Sequence, residues 1–194
     1  MAKFLDCFCG MGGASEGFHR EGFECTGIDI VDVGYPYKLI LKDMLTLDGS
    51  DFKGYDVIWG SPPCRDFVNI SDWHWKEKQN PKKGVKLVNC FLSFVKQAKP
   101  RIWIMENVKY LAEHISLQPQ QISWIGTPKK VRAFWGNFPN FLMPLQELPN
   151  KCKNIGKPFD KMRKWERAKI PLACSLAFAQ ACKQQLLKME IKNG

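Results

Sequence analysis

The chain contains no apolar run approaching the roughly 18 residues that a membrane-spanning helix requires, so no membrane partner is expected. Its N-terminal apolar run is interrupted by Asp6, and no secretory leader is expected either. Histidine is scarce, with three in 194 residues, and the eight cysteines form no Cys-x-x-Cys pair, so a zinc centre is not expected. Unpaired cysteines inside apolar segments suit a reducing compartment, cytoplasm or nucleus, in which disulfides do not persist. Internal repeats and low-complexity linkers are also missing. What is present is 45% hydrophobic content, enough for the core of one domain.

Charge is distributed unevenly. Residues 1–64 hold 5 basic and 10 acidic residues, a net of −5, and residues 65–194 carry +15. Lys151–Lys169 alone holds 8 basic and 2 acidic residues. Such a run is either a solvated face or a surface for a polyanion. Arg65, Lys129, Lys130, Arg163 and Lys164 are the candidate phosphate contacts, and Arg65, next to Cys64, is read alternatively as lowering the pKa of that thiol. Trp73, Trp75, Trp135 and Trp165 are interleaved with the charge and suit either base stacking or core packing.

Apolar runs at 3–8, 24–28, 38–41, 55–59, 102–105, 121–125 and 131–135 read as strands. Helices are expected at 13–21, 83–98 and 171–189, the second having Val85, Val88, Phe91, Leu92 and Val95 largely on one side. This alternation predicts an α/β fold with a mostly parallel sheet. Four of the strands run into chemically distinctive ends. The first breaks into Cys9-Gly10-Met11-Gly12-Gly13, where glycines permit close approach of a nucleotide-bearing ligand, or simply make a tight βα turn. The second strand ends on Asp29, a carboxylate able to accept from ribose hydroxyls. The strand at 55–59 reaches Ser61-Pro62-Pro63-Cys64, a stiff corner carrying a thiol. The strand at 102–105 continues into Glu106-Asn107-Val108, which suits either a functional carboxylate or a helix cap by Asn107. Ligands of open α/β sheets bind beyond the carboxyl ends of strands, so these groups are expected on one edge.

In this order the segments resemble the C5-cytosine methyltransferase family. Asp6, Phe8, Gly10, Gly12 and Gly13 match its Asp-x-Phe-x-Gly-x-Gly-Gly motif, Pro63-Cys64 its Pro-Cys nucleophile loop, and Glu106-Asn107-Val108 its Glu-Asn-Val motif. The resemblance covers residues 3–110 and implies a Rossmann-like methyltransferase fold with S-adenosylmethionine (AdoMet) as methyl donor. It implies donor contacts at Asp6, Phe8, Cys9, Gly10, Met11, Gly12, Gly13, Asp29, Ile30, Asp43, Met44, Ser61 and Pro62. Phe8 is read either as stacking on adenine or as core.

The implied chemistry requires these residue types. Carbon 5 of cytosine is a poor nucleophile until a thiolate, here Cys64, adds to carbon 6 and makes the ring an enamine. Glu106 is implied to protonate or hydrogen-bond ring nitrogen 3. Arg132 is read as bracing the base carbonyl or as contacting a phosphate. The base that removes the carbon 5 proton is not identified by the sequence.

Departures from the family pattern are equally specific. Arg65-Asp66-Phe67-Val68 replaces the usual residues after the cysteine, and Arg167-Ala168 stands where Gly-Asn usually precedes the last motif. Family members commonly carry a separate recognition domain, whereas here only Asn137–Glu166 fills that interval. The organisation expected is one catalytic domain over 1–194: a donor-binding half with the nucleophile strand at 1–64, a catalytic half at 65–136, a reduced recognition insert at 137–166 and a C-terminal helix from 167. Residues 68–82 lack periodicity and read as a loop that closes over a flipped base. The expected function is methylation of cytosine C5 in DNA, in a prokaryotic or phage-encoded setting, with a partner chain or dimer able to supply recognition. RNA or a free cytosine nucleotide as substrate, and a non-catalytic DNA-binding relative, are the alternatives.

Overall fold

The computed structural model describes residues 1–67, 80–124, 131–143 and 169–193. At its centre lies β1 (Lys3–Cys7), hydrogen-bonded in parallel to β2 (Glu24–Asp29) on one side and to β4 (Val57–Gly60) on the other. β3 (Lys38–Leu41) extends one edge and β5 (Ile102–Val108) the other, both parallel. β7 (Val131–Gly136) then pairs antiparallel with β5, and β6 (Gln121–Trp124) antiparallel with β7, giving the order β3-β2-β1-β4-β5-β7-β6. All seven expected strands are present within about two residues of their expected ends or further extended, and the mostly parallel sheet is as expected. The reversed β7 was not.

Period-2 alternation distributes the strand residues between two cores. Phe4, Val57, Trp59, Ile102, Ile104 and Phe134 face one side, where α1 (Gly13–Arg20) and α3 (Leu172–Asn193) pack. Leu5, Ile58, Met105 and Trp135 face the other, against α2 (Pro81–Ala98). Each fully buried large side chain of this kind contributes about 1.5–3 kcal/mol. On the first face Phe18 stacks on Phe4 with ring centroids 3.9 Å apart, and Phe178 meets the Trp59 edge at 5.0 Å. Helix α1 approaches α3 backbone to backbone, since a methyl group at Gly17 would lie 2.3 Å from the Leu176 nitrogen. The C-terminal helix covers the sheet as expected and is longer than its apolar pattern suggested.

Helix α2 begins with Asn80, whose side chain accepts from the Lys83 amide at 3.1 Å, followed by Pro81 in the first turn. It stops at Lys99 in the left-handed region, one residue before Pro100. Val88, Phe91, Val95 and Ala98 form its buried stripe. Among the described residues no helix is long and apolar enough to cross a membrane.

Candidate active site

The glycine loop is shaped by backbone conformations that few side chains adopt. Phe8, Gly10 and Gly12 have φ of 60°, 51° and 73°. The Cys9 amide donates to the Ile28 carbonyl at 3.2 Å and the Gly12 amide to the Cys9 carbonyl at 2.9 Å, fastening the loop to β2 and to itself. Asp29 completes the fastening: one oxygen accepts from the Gly10 amide at 2.9 Å, the other from the Ile30 amide at 2.8 Å. Ile30 is 65% exposed immediately beside this carboxylate, and Leu41 at the end of β3 is also exposed. Asp43 is exposed and caps a short 3₁₀ turn through the Leu45 amide at 2.9 Å. Met44 is sequestered: its side chain lies in the core under α2, so only its backbone is left to face a ligand. Cys9 is likewise buried, Met11 half-buried, and Phe8 half-buried against the core.

Asp6 is buried at the end of β1, and its carboxyl accepts from the Ser15 hydroxyl at 2.6 Å. Burial pushes it up to about 7, partly opposed by the Ser15 hydrogen bonds.

The nucleophile corner is held from three directions. Gly60 lies under the Phe91 ring, where any side chain would collide. The Ser61 amide donates to the Cys7 carbonyl at 3.1 Å, and its hydroxyl accepts from the Trp59 indole at 2.8 Å. Buried Asn107 donates to the Pro62 carbonyl at 2.9 Å, tying the Pro-Pro-Cys corner to β5. Local sequence alone suggested a helix N-cap for Asn107. Its actual role as a brace between strands depends on the tertiary pairing of β4 with β5.

Cys64, Glu106 and Arg132 come together at the carboxyl edge, and β7 is the reason. In the antiparallel register Val108 opposes Arg132 and Glu106 opposes Phe134, so Glu106 and Arg132 share a face two residues out of register. Arg132 Nη1 lies 2.8 Å from Glu106 Oε1, with both side chains nearly buried. That contact is a short ion pair, and it holds the carboxylate and the guanidinium side by side at the edge of the sheet. Arg132 is also within hydrogen-bonding reach of the Cys64 thiol. Burial pushes that thiol up, Arg132 pulls it down, and Glu106 adds to the rise.

Beside the nucleophile, the short turn Arg65–Phe67 packs under α2: a methyl group at Gly84 would lie 2.5 Å from the Phe67 ring. The first two turns of α2 carry exposed Lys82, Lys83 and Lys86, with no acidic residue in the first turn, and Arg65 in the neighbouring 3₁₀ turn is also exposed. Cations at a helix N-terminus oppose the macrodipole. The lysines are visible in the sequence, but the packing of the Arg65–Phe67 turn against α2 is not. Trp135 is core, its indole donating to the Leu117 carbonyl at 2.9 Å. At the C-terminal segment, a methyl group at Gly13 would lie 2.5 Å from the Ile170 nitrogen, so Lys169-Ile170-Pro171 returns to the glycine loop. Lys129, Lys130, Arg163, Lys164, Trp73, Trp75, Trp165, Arg167 and Ala168 lie outside the described residues.

Comparison with known proteins bears on the family and the fold. The family model of C-5 cytosine-specific DNA methylases matches residues 2–122. The chain is 29% identical over 128 residues to the type II methyltransferase M1.HphI of Haemophilus parahaemolyticus, covering 58% of this chain and 34% of that protein. It is 25% identical over 174 residues to a "Probable DNA (cytosine-5)-methyltransferase" of Frog virus 3, covering 79% and 78%. A crystal structure of an E. coli prophage protein, assigned as a DNA modification methyltransferase, superposes with a TM-score of 0.50 at 21% identity, over 70% of this chain and 46% of that one, and supports the fold. The chain spans about a third of the length of the bacterial type II relatives it matches. With more than half of its residues matched by the family model, the chain belongs to the C-5 cytosine-specific DNA methylase family.

Proposed function

We propose that this protein transfers a methyl group from AdoMet to carbon 5 of cytosine in DNA, through a covalent bond between Cys64 and carbon 6. The observation that carries this reading is the meeting of the Cys64 thiol, a nearly buried carboxylate and a guanidinium at one carboxyl edge. A structural ion pair needs no thiol beside it, whereas a base with a ring nitrogen and an amino group offers a carboxyl hydrogen-bonding partners next to that thiol.

The glycine loop fits the donor. Left-handed Phe8, Gly10 and Gly12 open its backbone, Asp29 sets its shape, and exposed Ile30 offers an apolar platform to a purine. Asp29 and Asp43 each keep lone pairs for donor hydroxyl or amino groups, and Ser61 and Pro62 border the same edge. The donor, when bound, supplies an electrophilic methyl group. Cys64 gives up its proton with help from Arg132, and its sulfur bonds to carbon 6 while the ring electrons shift toward carbon 5. Glu106 holds a proton at ring nitrogen 3, stabilising the electron-rich ring. After methylation a base takes the carbon 5 proton, and the carbon–sulfur bond breaks to return Cys64.

Exposed Arg65, Lys82, Lys83 and Lys86 extend from the nucleophile as a cationic surface for the phosphate backbone. Lys129, Lys130, Arg163 and Lys164 are assigned to the same partner by charge. The short 137–166 interval leaves sequence recognition to a very short target or to a partner chain. Incubation with methyl-labelled AdoMet and separate DNA, RNA and dCMP tests the reading: label is expected in cytosine of DNA. Label confined to RNA or dCMP would overturn the substrate assignment.

A further inference from the structure

A second polar chain lies behind the glycine loop, away from Cys64, and involves residues outside the matched motifs. Tyr35, in the loop after β2, is 8% exposed, and its hydroxyl lies 2.7 Å from the Ser15 hydroxyl. Ser15, fully buried in the first turn of α1, donates its single hydroxyl proton to Asp6 at 2.6 Å. With that proton committed to Asp6, Tyr35 must donate to Ser15. The result is a directed relay, Tyr35 to Ser15 to Asp6, joining three elements that meet at the loop. The Tyr35 ring also fills the space that two glycines leave open: a methyl group would lie 3.2 Å from it at Gly12 and 2.6 Å from it at Gly27.

We infer that Tyr35 and Ser15 are positioning residues of the donor site, holding the glycine loop and the start of α1 in binding geometry through their relay to Asp6. The inference rests on the donor-site reading above. Buried polar relays are strong when complete and costly when broken, because each orphaned group has already lost its water. The titratable groups around Asp6 are Cys7 on β1, Cys9 in the loop, Cys25 on β2, Tyr35 and Asp29. Burial pushes all three thiols and the phenol up, and pushes Asp6 up to about 7, beside the Ser15 hydroxyl that it accepts from. An ionised Asp6 completes the relay and favours a cationic donor, so donor affinity is expected to increase as pH rises through neutrality.

The test is AdoMet affinity by calorimetry between pH 6 and 8 for the full chain, Tyr35→Phe and Ser15→Ala. Tyr35→Phe keeps the ring over Gly12 and Gly27 and removes only the hydroxyl. Each variant is expected to bind AdoMet about ten-fold more weakly at pH 8, the scale of one buried hydrogen bond. The midpoint of the pH dependence is expected to move upward in Ser15→Ala, where Asp6 loses the hydroxyl that favours its ionised form, and by less in Tyr35→Phe, where Ser15 still donates to Asp6. Wild-type affinity and midpoint in both folded variants would overturn the inference and leave the donor site intact. Equal loss of thermal stability at every pH with an unmoved midpoint would overturn it too, by reducing the relay to packing. A wild-type chain that binds no AdoMet would remove the donor reading and this inference together.

Discussion

Residues 1–64 carry a net charge of −5 and residues 65–194 a net of +15, and the two regions also use their polar groups differently. In the first region the buried or loop-bound carboxylates are engaged by their own surroundings. Asp6 takes the Ser15 hydroxyl, and Asp29 takes the amides of Gly10 and Ile30. These groups build a shape. In the second region Glu106 pairs with Arg132 beside the Cys64 thiol, and Lys82 and Lys83 stand exposed in a first helical turn that disfavours cations. On the proposed function, the contrast is one between a preorganised donor pocket and a surface completed by its substrate.

The deepest break in that contrast is expected from Cys64→Ala. Methyl transfer should be lost altogether while AdoMet affinity stays within a few-fold, because the thiol serves the base and not the donor. Transfer assays paired with calorimetry check both halves of the statement. Glu106→Gln comes next: it keeps size and a hydrogen bond but cannot hold the proton, and turnover should fall by roughly 10²-fold or more with donor affinity unchanged. If that variant unfolds instead, Glu106 is a structural partner of Arg132 and its assignment to catalysis fails.

Asp29→Ala probes the opposite region. Removing the carboxylate frees the Gly10 and Ile30 amides and should weaken AdoMet binding by roughly 1–3 kcal/mol, with maximal turnover at saturating donor affected less. Unchanged affinity would mean that the loop needs no such brace.

Asp6 supplies a stability test. Its carboxyl is raised from 3.8 to about 7 by burial, so the folded state holds a proton that the unfolded state has released. Its contribution is fully present below pH about 4 and is lost as pH rises through about 7. Asp6→Asn cannot ionise, so the fall in thermal stability between pH 5 and 8 should be shallower than in wild type. A parallel pH profile would show that Asp6 is solvated.

The smallest effect is expected from the cationic face. Changing Lys82, Lys83 and Lys86 to Gln should make the salt dependence of DNA affinity shallower, by about 0.9 in log–log slope for each phosphate that is no longer neutralised. Donor affinity and saturated turnover should be retained. An unchanged slope would move the DNA surface elsewhere on the chain.

Much of this arrangement is legible without coordinates, for a physical reason. Strand ends on a parallel sheet must deliver Gly10, Asp29, Cys64 and Glu106 to one edge once the apolar runs are recognised. The position of Arg132 is not legible, because it depends on β7 entering the sheet in reverse between β5 and β6, and the apolar pattern of Val131–Gly136 is the same for either direction. Asn107 reads as a cap in the sequence because its true partner, the Pro62 carbonyl, is 45 residues away. Met44 follows the exposed cap Asp43 and is nonetheless core, a consequence of how the 3₁₀ turn rolls beneath α2. Local patterns reach as far as the element, and tertiary pairing decides which side chains meet.

The central claim is that Cys64 forms a covalent bond to cytosine within this site. DNA in which 5-fluorocytosine replaces the target base tests it most directly, since fluorine cannot leave as a proton does and the final elimination is blocked. With AdoMet present, the wild-type chain should form a denaturation-resistant complex, with the mass of one methylated fluorocytosine strand attached to the peptide bearing Cys64. Absence of that complex in a preparation that methylates ordinary DNA, or its persistence in Cys64→Ala, would contradict the account.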